Sequence, residues 1–337
     1  MSSETCSTGG FPAEGLYADD SDAEVCSMSM DHVDLYNQHA AEEARAAGLM
    51  FAPSSEEISL LGEHEPGVQF RPVRNVAMTP GRQSRVSVLE YDRQGTTYRV
   101  VWKRMGADKR LDLDEAKAMR ERLSPYRTSL ESSGWHVPKL FFSEVEKLNN
   151  EFQVFSYEEF IPGGDAEHMI ADPTEPNFRK WYVIEKVLRL LYSYPGDQLT
   201  NVSLLGRDLT LLPHGLDLKL ANLVLEPSDN QLYFVDLFGP KELTPDGGWR
   251  IYSPKLDSLP PDNLRVVTAT REGAILRFWR LARKTWEPVR ERRPLLQDDF
   301  LDRLAVCDPT SEELGVIRED LTSNFAWLNT IYSERKV

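Results

Sequence analysis

The sequence predicts an α+β fold in which a small antiparallel β lobe is followed by a larger helical lobe. Short runs of alternating apolar and polar residues in the first half are typical of half-buried strands, and one charged amphipathic helix lies between them. A proline and two glycines then interrupt the chain at Ile161-Pro-Gly-Gly164. The strongest helical periodicity comes after this joint, and the pattern from residue 272 onward is helical. We therefore place the lobe boundary between residues 160 and 161.

The composition restricts the class of protein. The chain has 337 residues, 41% of them hydrophobic, and its 7 Trp, 12 Tyr and 14 Phe exclude a wholly disordered chain. No run approaches the ~20 consecutive apolar residues of a membrane span, and no basic segment followed by an apolar one begins the sequence. The three widely spaced cysteines, Cys6, Cys26 and Cys307, fit neither a disulfide framework nor a zinc site. We expect a soluble cytoplasmic protein without a membrane partner.

The acidic charge is concentrated near the N-terminus. The formal net charge is −15, and residues 1–44 contain many acids but no Lys or Arg, so the rest of the chain is nearly neutral. We expect residues 1–66 to be an acidic segment, partly disordered, with a candidate helix over residues 31–50. Nucleic-acid binding needs a basic face, and we therefore expect no nucleic-acid partner.

Residues 67–160 are the predicted β lobe. A hairpin is expected at Asp92-Arg-Gln-Gly95, because alternating runs lie on both sides of this turn sequence, and its second strand ends in Lys103. The helix that follows is expected to stop before Pro125. The predicted elements are strands at 82–90 and 96–103, a helix at 113–123, and strands at 139–144 and 152–160.

Residues 161–337 are the predicted helical lobe. Its strongest helix covers residues 181–194, where the apolar residues recur on one face. Two short strands at 223–225 and 232–235 lie on either side of the turn sequence Pro227-Ser-Asp-Asn230.

The densest group of polar residues lies between that helix and the second short strand. Asp217, Lys219 and Asn222 occupy a loop, and Asp236 follows the strand. A hairpin between residues 223 and 235 returns Asp236 to the side of Asn222, where both can supply oxygen ligands to one Mg²⁺ ion. Asp217 then stands nearby to orient a hydroxyl group and to accept its proton.

These residues resemble the protein-kinase-like superfamily. Asp217-Leu-Lys-Leu-Ala-Asn222 is similar to its catalytic loop, and Asp236-Leu-Phe-Gly239 is similar to its metal-binding sequence with one residue inserted. The resemblance covers roughly residues 75–290 and comes closest to aminoglycoside and choline phosphotransferase-like kinases. Those enzymes have a similar His-Gly before the catalytic aspartate, a Val-Pro after the first helix and a hinge that ends in Pro-Gly.

The resemblance implies a two-lobed protein-kinase-like fold that uses ATP and Mg²⁺. Asp217 would be the catalytic base, and Lys219 would offset charge on the γ-phosphate. Asn222 and Asp236 would be the metal ligands.

The resemblance also implies a nucleotide site on the β lobe. Lys103 would hold the α- and β-phosphates, with Glu115 on the following helix as its ion-pair partner and Glu121 as the alternative. The other implied nucleotide contacts are the backbone near Gly81, the hydroxyl of Ser84, and the hinge backbone at Glu159 and Phe160, which would meet the adenine.

The phosphate acceptor stays open. An alcohol group on a small molecule is the leading hypothesis, because no Ala-Pro-Glu sequence follows Asp236 as it does in conventional protein kinases. Lys219, which is shared with Ser/Thr kinases, favours a Ser or Thr of a peptide or protein instead. The inserted Leu216 and a phosphate loop with one glycine favour a third alternative, a pseudokinase scaffold, and a fourth is an interaction module unrelated to kinases.

Overall fold

The computed structural model describes residues 69–73, 84–105, 111–148, 151–237, 241–243, 249–250, 260–286 and 297–333. The predicted acidic segment, its candidate helix and Gly81 lie outside the described residues. The described part has the predicted α+β fold, with an antiparallel sheet followed by a helical part, and is consistent with a two-lobed kinase-like fold. The domain boundary between residues 160 and 161 stays a prediction.

An antiparallel sheet forms the first half of the described chain. Its strands are β1 (Arg71–Pro72), β2 (Ser84–Arg93), β3 (Thr96–Met105), β4 (Leu140–Leu148) and β5 (Glu151–Glu159). They lie in the order β1-β2-β3-β5-β4. The predicted turn joins β2 and β3, where Gln94 and Gly95 have φ angles of 53° and 79°. Two successive residues with positive φ match the right-handed twist of a hairpin, and glycine adopts such a φ without steric cost.

The two faces of this sheet have different partners. On one face, the rings of Trp102 and Phe155 stack with their centroids 5.0 Å apart. On the other face, Met105 packs against helix α1 (Leu113–Ser132). Because side chains alternate along a strand, Lys103 lies on the same face as Met105.

Helix α1 is longer than the sequence predicts. The prediction that it stops before Pro125 is wrong, because the helix runs on past this residue. A proline inside a helix costs about 3 kcal/mol, but Tyr126 and Leu130 are buried in the core, and their packing outweighs that cost. The helix begins at a capping box, in which the side chains of Asp112 and Glu115 each accept the backbone N–H of the other residue.

The helical part surrounds the strongest predicted helix, which the structure extends over residues 177–192. The helices are α2 (Ala166–Ala171), α3 (Asn177–Tyr192), α4 (Pro261–Ala269), α5 (Arg271–Trp286), α6 (Gln297–Ala305), α7 (Ser311–Thr322) and α8 (Ala326–Ser333). Ile184, Val187, Leu188 and Leu191 of the predicted apolar face are buried, whereas Trp181 and Tyr192 of that face are only partly buried. Val183, which the prediction did not include, is buried as well. None of the described helices combines the length and the apolar character that crossing a bilayer requires.

Short strands connect the helices of this part. They are β6 (Thr200–Leu204), β7 (Arg207–Leu211), β8 (His214–Gly215), β9 (Leu223–Leu225), β10 (Leu232–Phe234), β11 (Lys241–Leu243) and β12 (Trp249–Arg250). β9 and β10 form the predicted hairpin, with Leu223 opposite Phe234. β6 and β7 form a second hairpin, which the sequence did not predict, and β7 packs against α5 and α7.

Gly163 is the position in the joint that only glycine can occupy. Its φ is +122°, and an added Cβ atom would lie 2.5 Å from the carbonyl oxygen of Leu225. A Cβ atom added at the adjacent Gly164 would have no neighbour within 4 Å. The chain therefore passes directly against β9 at this joint.

We expect Gly163→Ala to lower the free energy of unfolding by about 1–3 kcal/mol, because the new side chain has both a strained φ and a backbone oxygen in its way. Gly164→Ala is the matched control, since nothing lies within 4 Å of its added methyl group. Denaturant unfolding of the two variants measures the difference. Equal stabilities would contradict the close approach.

Candidate functional site

The loop between β8 and β9 is extended and fixed by leucines. Leu216, Leu218 and Leu220 are buried in the core, so the alternating residues Asp217 and Lys219 project to the opposite side. The backbone N–H of Leu216 also donates to the carbonyl oxygen of Thr268, at 2.6 Å. Leu216, which the resemblance leaves as an insertion, is therefore an anchor that sets the direction of Asp217.

Asp217 lies between two cations. Its Oδ1 accepts a hydrogen bond from Nη2 of Arg277 at 2.6 Å, and its Oδ2 lies 3.5 Å from Nζ of Lys219. The side chains of Arg277 and Asp217 are 3% and 20% exposed, whereas that of Lys219 is 44% exposed. One carboxylate oxygen is thus held by a buried guanidinium group, and the other faces a lysine that is partly exposed to solvent.

Sequence reasoning missed Arg277, although the sequence contains a signal for it. Arg277 lies in α5 among residues that are buried without interruption from 271 to 279. A buried guanidinium group needs a partner, because an uncompensated charge in the interior is strongly unfavourable. An arginine in an apolar helix face therefore predicts a buried carboxylate nearby, but not which one.

The β9–β10 hairpin brings the backbone of Asn222 next to Val235, the residue before Asp236. The side-chain Nδ2 of Asn222 donates to the backbone carbonyl of Asp217 at 2.9 Å. The backbone N–H of Val235 donates to the carbonyl of Asn222, also at 2.9 Å. The hairpin therefore places Asp236 one residue from the partner of Asn222, and the Asn222 amide is oriented by the loop that carries Asp217.

Lys103 reaches this hairpin from the sheet. Its Nζ donates to Oε2 of Glu158 at 2.7 Å and to the carbonyl oxygen of Val235, the residue before Asp236, at 2.5 Å. The side chains of Lys103 and Glu158 are 7% and 1% exposed. A buried lysine on β3 is thus next to the backbone that positions Asp236.

The ion-pair partner of Lys103 is Glu158 rather than Glu115. Glu115 is exposed at the start of α1, where it forms the capping box, and the alternative Glu121 is exposed too. In the β3–β5 register, Val101 lies opposite Glu158 and Lys103 opposite Ser156, so Lys103 and Glu158 are diagonal neighbours on one face. The order of elements along the chain predicts that the partner of Lys103 is a carboxylate on the helix after β3. The register of β3 and β5 shows instead that the partner is Glu158 on β5.

The remaining residues predicted to contact the nucleotide are Glu159, Phe160, Ser84 and Gly81. The backbone N–H of Glu159 donates to the carbonyl of Lys139 at 2.8 Å, and the guanidinium carbon of Arg99 lies 5.9 Å from the ring centroid of Phe160. The Glu159 amide is therefore bonded within the sheet. Ser84 begins β2 opposite Met105, and its side chain lies outside the described part, as does Gly81.

Helix α1 braces the loop through hydrogen bonds to β8. The hydroxyl of Tyr126 donates to the carbonyl of Gly215 at 2.7 Å. Burial is the largest of the causes that raise the pKa of Tyr126 well above its usual value, so this hydroxyl stays protonated and remains a donor. The Oγ of Ser129 lies 2.8 Å from Nδ1 of His214. The loop that carries Asp217 is thus held by α1 as well as by the core.

His214 is a structural histidine in this network. It is buried, and burial lowers its pKa from 6.5 to about 4, so the ring is uncharged. Its Nε2 lies 2.8 Å from the hydroxyl of Tyr194, which also accepts the indole N–H of Trp135 at 2.8 Å. The Tyr194 hydroxyl therefore donates its hydrogen bond to Nε2 of His214. The ring proton of the neutral imidazole then lies on Nδ1, which donates to the Oγ of Ser129.

No protein-family model matches this chain. No curated protein matches it either. Among solved structures, the chain is similar to one described as "WaaP in complex with acyl carrier protein", at 14% identity and a TM-score of 0.41, over 80% of this chain and 89% of that one.

We expect His214→Gln to change how stability depends on pH. The native imidazole has a pKa of about 4 folded against 6.5 unfolded, so its contribution is complete above pH 6.5 and is lost as the pH falls toward 4. The free energy of unfolding of the native protein should therefore fall by about 3 kcal/mol more than that of the variant over this range. Unfolding at several pH values measures the difference.

His136→Gln is the control for this measurement, because His136 is exposed. Subtracting the variant curve also cancels groups with the opposite trend, such as Glu272, whose pKa burial raises to about 7. Parallel curves for the native protein and His214→Gln would contradict a neutral buried His214.

Proposed function

We propose that the chain is an ATP- and Mg²⁺-dependent phosphotransferase that moves the γ-phosphate to an alcohol group of a small molecule. The observation that carries the proposal is the convergence of Lys103 from the sheet with Asn222 and Asp236 of the hairpin, through the 2.5 Å contact between Lys103 Nζ and the carbonyl of Val235. Phosphoryl transfer depends mainly on positioning and on charge stabilisation, and this arrangement supplies both.

Lys103 is the residue that we assign to the α- and β-phosphates. A buried ammonium group is a strong donor to phosphate oxygens, because little water competes with it. We assign adenine recognition to the backbone that follows β5, beginning at Phe160, since the Glu159 amide is bonded to Lys139. Contributions from Gly81 and Ser84 remain part of the proposal.

Asp236 and Asn222 fit a magnesium ion through the chemistry of their oxygens. The described residues contain no cluster of three or more His, Cys, Asp and Glu side chains that could hold a metal by themselves. Mg²⁺ is commonly bound by one or two protein oxygens together with phosphate oxygens and water, so this donor set suits a nucleotide-dependent ion. A metal ion bound there would neutralise charge on the phosphates.

Asp217 is the residue that we assign to the acceptor hydroxyl. Its Oδ1 is occupied by Arg277, so Oδ2 is the oxygen that takes the proton. The acceptor oxygen then forms its bond to the γ-phosphorus while the bond to the β-phosphate oxygen breaks and ADP leaves. Lys219 lies beside Oδ2 and is exposed enough to turn toward the γ-phosphate.

A Ser or Thr of a peptide is the second candidate acceptor. It is favoured by Lys219, which lies 3.5 Å from Asp217 in the position where Ser/Thr kinases have a lysine. Incubation with labelled ATP and either peptides or sugars and amino alcohols separates the two classes. Label on peptides alone would replace the small-molecule proposal.

We expect Asp236→Asn and Asp217→Asn each to lower turnover by at least about 100-fold, since each removes charge from the reacting region. Asp236→Asn should also abolish the Mg²⁺-dependent stabilisation by ATP, which is about 2.7 kcal/mol at a hundredfold excess over Kd. Asp217→Asn should keep that stabilisation. Thermal shift and ADP release measure the two effects.

Asp208→Asn is the matched control, because Asp208 is exposed on β7. Native turnover in both site variants would refute the proposed site. The absence of any thermal shift with millimolar ATP in the native protein would instead favour the scaffold alternative.

We expect Arg277→Met to lower kcat by about 10- to 100-fold, because the catalytic carboxylate loses the group that orients it. The Kd of ATP should stay unchanged, since Arg277 contacts Asp217 rather than Lys103. Arg283→Met on the same helix, where Arg283 faces Asn324, is the control. A rise in the Kd of ATP with an unchanged kcat would contradict this prediction.

A further inference from the structure

We propose that Glu158 of the sheet, rather than a carboxylate of α1, positions Lys103 for the ATP phosphates, because Lys103 and Glu158 lie on one face of the β3–β5 pair, 2.7 Å apart. This inference rests on the proposed function. It adds a positioning residue for Lys103.

The geometry of Glu158 is that of a fixed support. Its Oε2 accepts from Lys103, and its Oε1 accepts from the hydroxyl of Ser156 at 2.6 Å. β5 is paired along its length, with β3 on one side and β4 on the other. A shift of register by one residue would turn every side chain to the opposite face, so the pairing fixes Glu158 relative to Lys103.

Helix α1 has a different task. Its first-turn carboxylate, Glu115, accepts the backbone N–H of Asp112 at 3.3 Å. Further along, its side chains reach the loop of Asp217 through Tyr126 and Ser129. In protein kinases, a lysine–glutamate pair between sheet and helix makes the helix position control the phosphate site. Here the carboxylate that holds Lys103 belongs to the sheet, although α1 packs on the same face of the sheet against Met105 and Val154.

Loss of Glu158 and loss of the Tyr126 hydroxyl are therefore expected to impair different steps. Loss of Glu158 releases the ammonium group that binds phosphate, so ATP binding weakens while binding of adenosine, which has no phosphate, is retained. Loss of the Tyr126 hydroxyl loosens the loop of Asp217, so turnover falls while ATP binding is retained. A general structural defect would weaken the binding of both ligands.

The test is isothermal titration of ATP with Mg²⁺, and of adenosine, into the native full-length protein and its variants. We expect Glu158→Gln to raise the Kd of ATP by about 10- to 100-fold, as for the loss of one hydrogen bond to a charged group. The Kd of adenosine should change by less than about twofold. Glu115→Gln, the same substitution on α1, should leave both constants within about twofold of the native values.

Two further variants keep the test decisive. Ser156→Ala removes only the hydroxyl that holds Glu158, and it should raise the Kd of ATP by about three- to tenfold even if Glu158→Gln does not fold. Tyr126→Phe should lower turnover without changing the Kd of ATP.

The outcomes separate the two proposals. Failure of the native protein to bind ATP overturns the proposed function and this inference with it. Native ATP binding that is unchanged in Glu158→Gln and Ser156→Ala, or that is weakened in Glu115→Gln, overturns the inference alone. Equal weakening of ATP and adenosine in Glu158→Gln also overturns it, because the residue would then be structural only.

Discussion

The buried ammonium group of Lys103 is the interaction on which the site depends. It bonds to a carboxylate of its own sheet, Glu158, and to a backbone carbonyl of the β9–β10 hairpin, at Val235. A charge in the interior is tolerated only when it is paired and hydrogen-bonded, and removing one partner of such a pair typically costs about 3–5 kcal/mol. The same group therefore connects the sheet to the hairpin that carries Asp236.

Apolar packing, a hydrogen bond and an ion pair together fix the loop that carries Asp217. Alternate leucines are buried below it, α1 donates to the Gly215 carbonyl, and Arg277 of α5 holds the carboxylate itself. Burying the ion pair of Arg277 and Asp217 adds little to stability, because desolvation offsets much of the Coulomb attraction. What it provides is a single orientation of Asp217, and positioning accounts for much of the catalysis of phosphoryl transfer.

The structural features that depend on residues close together in the sequence could be predicted. The turn at Gln94 and Gly95 follows from residues that accept positive φ, and the buried face of α3 follows from helical periodicity. The end of α1 could not be predicted in this way, because the propensity of Pro125 is local, whereas the burial of Tyr126 is decided by the rest of the fold. The β6–β7 hairpin was missed although Val202, Leu204, Leu209 and Leu211 alternate with polar residues, because its turn contains Leu205, which adopts a φ of 51° that leucine does not signal in a sequence.

The sequence by itself determined which chemical groups are available and which of them lie close together through a short hairpin. The separation of Asn222 and Asp236 by two short strands and a turn is enough to bring them together, since a hairpin closes locally. The tertiary structure decided the partners of the charged groups. Glu158 meets Lys103 because β5 lies beside β3 in a particular register, and Arg277 meets Asp217 because α5 packs under the loop. Such pairs depend on the order and register of distant elements, which the spacing of residues along the chain does not encode.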